Sequence, residues 1–119
     1  MQDNTTTIND LKAVIKKFVE EREWEQYHSP KNLSMQIAAE AAELMELFLW
    51  VDSKESITAV EKNREAVEHE IADIAHAIIC FCNRTNIDLA AAIEKKMALN
   101  AQKYPVEKSK GKCVKYTKL

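Results

Sequence analysis

Apolar residues recur every three or four positions through most of the chain, which is the spacing that places side chains on one face of an α-helix. The pattern predicts four helices, at about residues 8–23, 32–50, 58–84 and 88–104. The connections between them are short, so the expected fold is an all-α four-helix bundle. No internal repeat interrupts residues 1–119, which we expect to form a single domain with a basic tail at about 106–119.

Polar residues at the predicted helix starts support these boundaries. Thr7 with Asp10, and Thr58 with Glu61, have the spacing of a capping box, and Asp88 is a plausible N-cap for the last helix.

The third helix has an apolar stripe that we expect to face the core. Its members are Val67, Ile71, Ile74, Ile78, Phe81 and Cys82. His69, His76 and Cys80 fall on the other side of that helix, and we expect both histidines at the surface.

The second predicted helix carries a charge in an unusual position. Glu40 lies inside an apolar stripe, and Glu43 sits one turn further on, at the edge of the same stripe. The apolar residues of this stripe are Leu33, Ile37, Leu44, Leu47, Phe48 and Val51. A carboxylate on a core-facing side costs several kcal/mol unless an opposite charge meets it, so Glu40 needs a partner.

Charge and composition narrow the function classes. Residues 1–100 hold 11 Lys/Arg against 18 Asp/Glu, whereas residues 101–119 hold six Lys and one Glu, so an acidic body precedes a basic tail. This distribution argues against binding to a nucleic acid polymer. No apolar run is long enough to span a membrane. The first residues have neither the basic nor the apolar segment of a secretory leader, so we do not expect export. Three cysteines without CxxC spacing suit a reducing compartment, so we expect a cytoplasmic protein.

A second acidic pair can explain why the charged Glu40 lies in an apolar stripe. Glu70 and Asp73 are three positions apart on the third helix, as Glu40 and Glu43 are on the second, and residues at this spacing share a face. A short connection makes the two helices antiparallel neighbours, so the four carboxylates can converge. Hard divalent cations such as Mg²⁺ take oxygen ligands and would relieve the repulsion. The pattern therefore predicts a metal site at Glu40, Glu43, Glu70 and Asp73.

Other interpretations of these acids remain open at this point. Glu40 could form a buried salt bridge with Lys96 or Arg64, and the remaining acids could lie on solvated helix faces. A di-iron or di-manganese bundle would use two Glu-x-x-His motifs, and only Glu25 and His28 have that spacing.

The acidic signature resembles that of the MazG-like all-α nucleoside triphosphate pyrophosphohydrolases. Glu40-x-x-Glu43 is followed, after 26 intervening residues, by Glu70-x-x-Asp73. Three further stretches resemble the dCTP pyrophosphatase branch of this family, namely 23–33, 46–50 and 96–105, and so does the end of the chain at 115–119. The resemblance covers nearly the whole sequence, from about residue 8.

The resemblance implies an enzyme that cleaves a nucleoside triphosphate, dCTP or a modified pyrimidine deoxynucleotide, to the monophosphate and pyrophosphate. Such an enzyme clears unwanted nucleotides from the pool. The four acids would hold Mg²⁺, for which Mn²⁺ could substitute, and Glu40 or Glu43 would orient the attacking water. Relatives form dimers and tetramers, so a homo-oligomer is expected. The alternative is a non-catalytic helical oligomer that senses nucleotides or binds a protein.

Further residues acquire expected roles through the same resemblance. The residues expected to stack on or read the base and sugar are Trp24, His28, Asn32 and Trp50. The residues expected to hold phosphates or close over the ligand are Lys96, Asn100, Lys103, Lys115 and Tyr116. One departure affects the base preference. Ala77 stands four positions after the last acid, where related enzymes carry an aromatic residue, and a small side chain there should reshape the site.

Overall fold

The computed structural model describes residues 1–119 and contains helices but no strands. The six α-helices are α1 (Ile8–Glu21), α2 (Pro30–Glu46), α3 (Ser56–Lys62), α4 (Arg64–Thr85), α5 (Leu89–Lys103) and α6 (Val106–Ser109). Three short 3₁₀ helices cover Trp24–Tyr27, Ser53–Glu55 and Tyr116–Lys118. The all-α class is confirmed, while the count of four helices is wrong. None of the helices has both the length and the apolar character needed to cross a bilayer.

The chain divides into two compact units. The first comprises Met1–Ile87 and the second Asp88–Leu119. In the first unit, α4 packs mainly against α2 and also against α1. The acidic pairs of α2 and α4 thus belong to two helices in direct contact.

The helix starts follow local capping chemistry. Thr7 Oγ1 accepts a hydrogen bond from the Asp10 N–H at 3.1 Å, and Asp10 Oδ2 accepts one from the Thr7 N–H at 2.8 Å, so the predicted capping box is present. Ser29 caps α2 by accepting from the Asn32 N–H at 3.1 Å. Pro30, which has no N–H to leave unpaired, takes the first helical position, so α2 begins slightly earlier than predicted. Asp88 caps α5, as expected.

The second helix ends earlier than its apolar pattern predicts. The N–H groups of Leu47 and Phe48 donate to carbonyls three residues back, at 3.2 and 3.0 Å, which replaces the α-helical bonding of the last turn. Helix α2 therefore stops at Glu46, and Trp50 lies in the turn that follows, with 97% of its surface exposed. The prediction that this helix reaches Trp50 is wrong.

The predicted third helix is broken in two at Asn63. The Asn63 N–H donates hydrogen bonds to the carbonyls of Ala59 and Val60, and the side-chain Nδ2 donates to Ala59 O at 3.1 Å. A side chain that binds the backbone in this way competes with helix continuation, so α3 ends and α4 starts beyond it. The Thr58–Glu61 capping box is also wrong, because α3 begins at Ser56 and has no side-chain cap.

The predicted core stripe of α4 is confirmed in part. Cys82 is buried and Phe81 packs against the core, as expected, whereas Cys80, expected on the other side of the helix, is buried as well. Val19, Leu33 and Cys80 form the buried cluster, and Ile15 and Phe81 pack against it. Ile71, assigned to the core stripe by its periodicity, is 52% exposed. His76 is half-buried rather than at the surface, with its Nε2 at 3.8 Å from Cys80 Sγ. Helix α4 has apolar residues on two faces, and periodicity does not decide which one meets α1 and α2.

Candidate active site

Three of the predicted metal-binding acids meet where α2 packs on α4. One carboxylate oxygen from each of Glu40, Glu43 and Glu70 lies within 4.8 Å of the other two. Glu40 and Glu70 are half-buried, whereas Glu43 is exposed. The i,i+3 spacing on α2 directs two carboxylates to one point, and the contact with α4 brings the third.

Burial and like charge raise the pKa of two of these carboxyls. For Glu70, desolvation raises the pKa most, and the neighbouring carboxylates of Glu43, Asp73 and Glu40 raise it further. For Glu40, desolvation again leads, followed by the charges of Glu43 and Asp73, while the Gln36 amide opposes the increase. Asp73, the fourth predicted acid, therefore lies within the same negative field.

No basic side chain neutralises this cluster. The ion pairs of the chain are surface pairs at 3.5 to 3.8 Å, and none of them includes any of the four acids. Arg64, an alternative partner of Glu40 by sequence, instead pairs with Glu68 at 3.5 Å. Glu70 Oε2 is buried and has no hydrogen-bond donor, which is unusual for a buried oxygen. This donor set of carboxylate oxygens fits a hard divalent cation.

An open cleft of about 390 Å³ adjoins the cluster through Asp73. Its remaining walls are Val14, Ile15, Phe18, Trp24, Gln36 and His76. Trp24 is 43% exposed, and its ring stands edge-on to that of Phe18, with centroids 5.7 Å apart. The structure thus places Asp73, one of the four acids, and one predicted base-binding tryptophan on the same cleft, a layout that can take a planar ring near a bound cation.

His28 and Asn32 do not line this cleft. His28 lines a separate cavity of about 140 Å³ with Lys16 and Arg84, and its carbonyl accepts from Arg84 Nε at 3.2 Å. Burial lowers the pKa of His28, and the charges of His76 and Arg84 lower it further, against an opposing effect of Glu25. Asn32 Nδ2 donates to Tyr27 O at 3.0 Å and so stabilises the turn before α2. Their proposed contacts with base or sugar stay predictions.

Trp50 lies in a different cleft from Trp24. Its neighbours there are Val51, Asp52, Glu55 and residues of α3, around a volume of about 460 Å³. Its base-binding role also stays a prediction.

The predicted phosphate-binding residues all belong to the second unit. Lys96, Asn100 and Lys103 lie on α5, and Lys115 and Tyr116 lie at the last 3₁₀ helix. Lys103 Nζ sits 5.0 Å from the centroid of the Tyr116 ring, a cation–π contact. Tyr116 in turn stands edge-on to Tyr104 at 5.9 Å. The structure therefore brings Lys103 and Tyr116 together, and their role towards a phosphate stays a prediction.

Sequence reasoning missed several cleft residues. Gln36 precedes Glu40 by one helical turn, so its i,i+4 position on α2 was the available signal. Phe18 has the helical spacing of a core residue in α1, and no pattern distinguishes a core face from a cleft wall. Ala77 is 0% exposed and does not line this cleft, and its effect on the base preference stays a prediction. Its neighbour His76 lines the cleft instead.

The sequence and the fold both match known proteins. Residues 35–119 match the model of the MazG-like family. Over 115 residues, the chain is 36% identical to rat dCTP pyrophosphatase 1 and 32% identical to the human protein, spanning 95% of this chain and 68% of each relative. The crystal structure of a pyrophosphatase from Archaeoglobus fulgidus superimposes with a TM-score of 0.81 at 34% identity, covering 88% of this chain and 98% of that one. The chain belongs to the MazG-like family.

Proposed function

We propose that this chain hydrolyses a deoxynucleoside triphosphate, dCTP or a modified pyrimidine relative, to the monophosphate and pyrophosphate with Mg²⁺ as its metal. The family makes it a nucleoside triphosphate pyrophosphatase. The observation that carries the proposal is the unneutralised cluster of Glu40, Glu43 and Glu70, which adjoins a cleft walled by Trp24. A cation site beside a ring-sized cleft is what a nucleoside triphosphate requires.

In this proposal the four acids bind the metal, and one of them also activates the attacking water. Glu40, Glu43, Glu70 and Asp73 would hold the divalent cation, which neutralises the triphosphate and makes the α-phosphorus more electrophilic. A water oxygen attacks that phosphorus, the bond to the bridging α–β oxygen breaks, and pyrophosphate leaves. One of the two α2 glutamates, Glu40 or Glu43, accepts the proton of the water.

The base and the outer phosphates have separate binding residues. The base stacks on Trp24, an interaction worth about 1–3 kcal/mol for a base on an aromatic ring. Trp50, His28 and Asn32 are proposed for further base or sugar contacts. The β- and γ-phosphates are assigned to the cationic and polar residues of the second unit, which are Lys96, Asn100, Lys103, Lys115 and Tyr116.

The test is pyrophosphate release from a panel of canonical and modified deoxynucleoside triphosphates, with Mg²⁺ and with Mn²⁺. We expect turnover that EDTA abolishes and that is fastest with dCTP or a modified pyrimidine. Glu40→Gln keeps the shape of the side chain and removes its charge, so it should reduce kcat by at least about 100-fold. Glu61→Gln, which neutralises an exposed glutamate of α3, is the matched control and should leave turnover unchanged.

Absence of turnover with every nucleotide would contradict the proposed activity. Triphosphate binding without product would identify a non-catalytic nucleotide-binding module instead. We also propose that the protein is a cytoplasmic homodimer or homotetramer that acts on the nucleotide pool.

A further inference from the structure

The Phe18 ring is the centre of an aromatic cluster in the wall of the cleft. It stands edge-on to Trp24, with ring centroids 5.7 Å apart, and nearly perpendicular to the His76 imidazole, with centroids 6.0 Å apart. All three rings line the cleft. A base that stacks on Trp24 therefore meets a wall whose shape depends on the position of Phe18.

Arg22 holds the Phe18 ring from a position outside the cleft. Its guanidinium carbon lies 3.7 Å from the ring centroid, which is the geometry of a cation stacked on the ring face. The same guanidinium donates a hydrogen bond from Nη1 to the Phe18 carbonyl at 3.0 Å. Arg22 is exposed and is not among the residues that line the cleft. Any effect of Arg22 on the cleft therefore passes through Phe18.

The end of α1 leaves the Phe18 carbonyl open to this contact. The Arg22 N–H donates to Val19 O at 3.3 Å instead of to Phe18 O, four residues back, and the guanidinium occupies that carbonyl in its place. Glu23 follows with a φ of 54°, a left-handed conformation that turns the chain into the 3₁₀ helix of Trp24. Arg22 thus fixes Phe18 at the point where the chain turns towards Trp24.

We propose that Arg22 is a positioning residue, which holds Phe18 against Trp24 and so keeps the cleft in the shape that receives a planar base before substrate binds. The inference rests on the proposed function, because it concerns the same cleft. A wall that is already ordered loses little side-chain freedom on binding, so the contribution falls on nucleotide affinity and not on the chemical step. Removal of the guanidinium should weaken nucleotide binding by about 3- to 10-fold.

Steady-state kinetics with dCTP and Mg²⁺ give the first test. Arg22→Met keeps a long side chain without charge or donor, so KM should rise by about 3- to 10-fold while kcat stays within about twofold of wild type. Arg22→Lys keeps a cation without the planar fork of donors, so it should recover part of the loss. Arg64→Met removes an exposed arginine of α4 that pairs with Glu68, so it should change neither constant. A fall in kcat with KM unchanged would overturn the inference.

Fluorine NMR gives a second test that needs no turnover and so separates this inference from the activity. Protein labelled with fluorotryptophan has one resonance for each of its two tryptophans, and Trp50→Phe assigns them. In nucleotide-free Arg22→Met, the Trp24 resonance should shift or broaden, and in Arg22→Lys it should do so less. The Trp50 resonance should stay in place, because Trp50 lies in a different cleft.

The outcome of the NMR experiment does not depend on catalysis. A displaced Trp24 resonance with an unchanged Trp50 resonance supports the inference even if no nucleotide is turned over. A Trp24 resonance that is the same in wild type and Arg22→Met would overturn it, even in an active enzyme, because Arg22 would then stabilise only the end of α1.

Discussion

Glu40 and Glu70 are carboxyls whose ionisation the folded chain opposes. Both have a raised pKa, caused first by burial and then by neighbouring acids. Neither has a basic partner, and one oxygen of Glu70 has no donor at all. Without a cation, the cluster is therefore a local source of instability within the fold.

The sign of the resulting pH dependence follows from proton binding. The unfolded chain releases these protons near the ordinary glutamate pKa of 4.5, while the folded chain holds them to higher pH. In that interval the folded state binds more protons than the unfolded state, so the free energy of unfolding falls as the pH rises. We expect metal-free wild type to be destabilised by these groups at neutral pH and less so near the ordinary pKa.

Urea unfolding in EDTA checks this expectation. The double variant Glu40→Gln/Glu70→Gln should be more stable than wild type at neutral pH, and the difference should shrink towards acid pH. Mg²⁺ should stabilise wild type and have little effect on the double variant. A double variant that is less stable than wild type at neutral pH would show that the carboxylates have stabilising partners.

At the scale of elements, Thr7 and Thr58 differ in their positions in the helices, although each is followed three residues later by an acidic residue. Thr7 caps α1 and receives a hydrogen bond from the Asp10 N–H, whereas Thr58 lies inside α3 and caps nothing. Thr7→Ala should lower the free energy of unfolding by about 1 kcal/mol, because it leaves helix N–H groups without their acceptor. Thr58→Ala should be neutral or slightly stabilising, because alanine is the better helix former.

Thermal or urea unfolding of the two variants side by side measures this difference. Equal losses in both would mean that the Thr58 hydroxyl also caps a helix, contrary to the structure.

Local chemistry explains which elements the sequence predicts. The α1 capping box, the Asp88 cap and the acidic pairs depend on residues three positions apart, so spacing alone identifies them. The break at Asn63 depends on one side chain binding its own helix, and the end of α2 on a change to shorter-range hydrogen bonds. The presence of an asparagine or a leucine does not by itself end a helix, so the sequence does not predict either of these helix ends.

The candidate site can likewise be predicted from the sequence only in part. Glu40 was recognisable because a charge in an apolar stripe demands an explanation. The cleft beside it depends on how α4 packs on α1 and α2. Periodicity predicts Ile71 inside and Cys80 outside, whereas the structure has Ile71 exposed and Cys80 buried. Gln36 and His76 line the cleft as a result of this packing.

At the scale of the whole molecule, much apolar surface is exposed. Trp50 and Ile71 in the first unit, and Ile93, Met97 and Leu99 in the second, are all exposed. The second unit has no buried residue, although α5 alone is 15 residues long. Soluble monomers rarely expose this much apolar area, so the pattern supports association between copies of the chain.

Size-exclusion chromatography with light scattering tests this association. We expect a dimer or tetramer, hence a mass that is a multiple of 13.6 kDa. Ile93→Glu should reduce the oligomeric state, because it places a charge on the exposed apolar surface of α5. Lys95→Glu, also on α5, is the control for a change of charge outside that surface. A wild-type mass of 13.6 kDa at all concentrations would contradict the expectation.

The buried oxygen of Glu70, which has no hydrogen-bond donor, also has an evolutionary consequence. Because the acidic cluster lowers the stability of the metal-free chain, selection for thermostability alone would favour neutral replacements at Glu40, Glu43 and Glu70. Selection for turnover would oppose the same replacements. If the acids hold the metal as proposed, they are positions where fitness for folding and fitness for catalysis diverge, and a design that ranked residues by stability alone would replace them first.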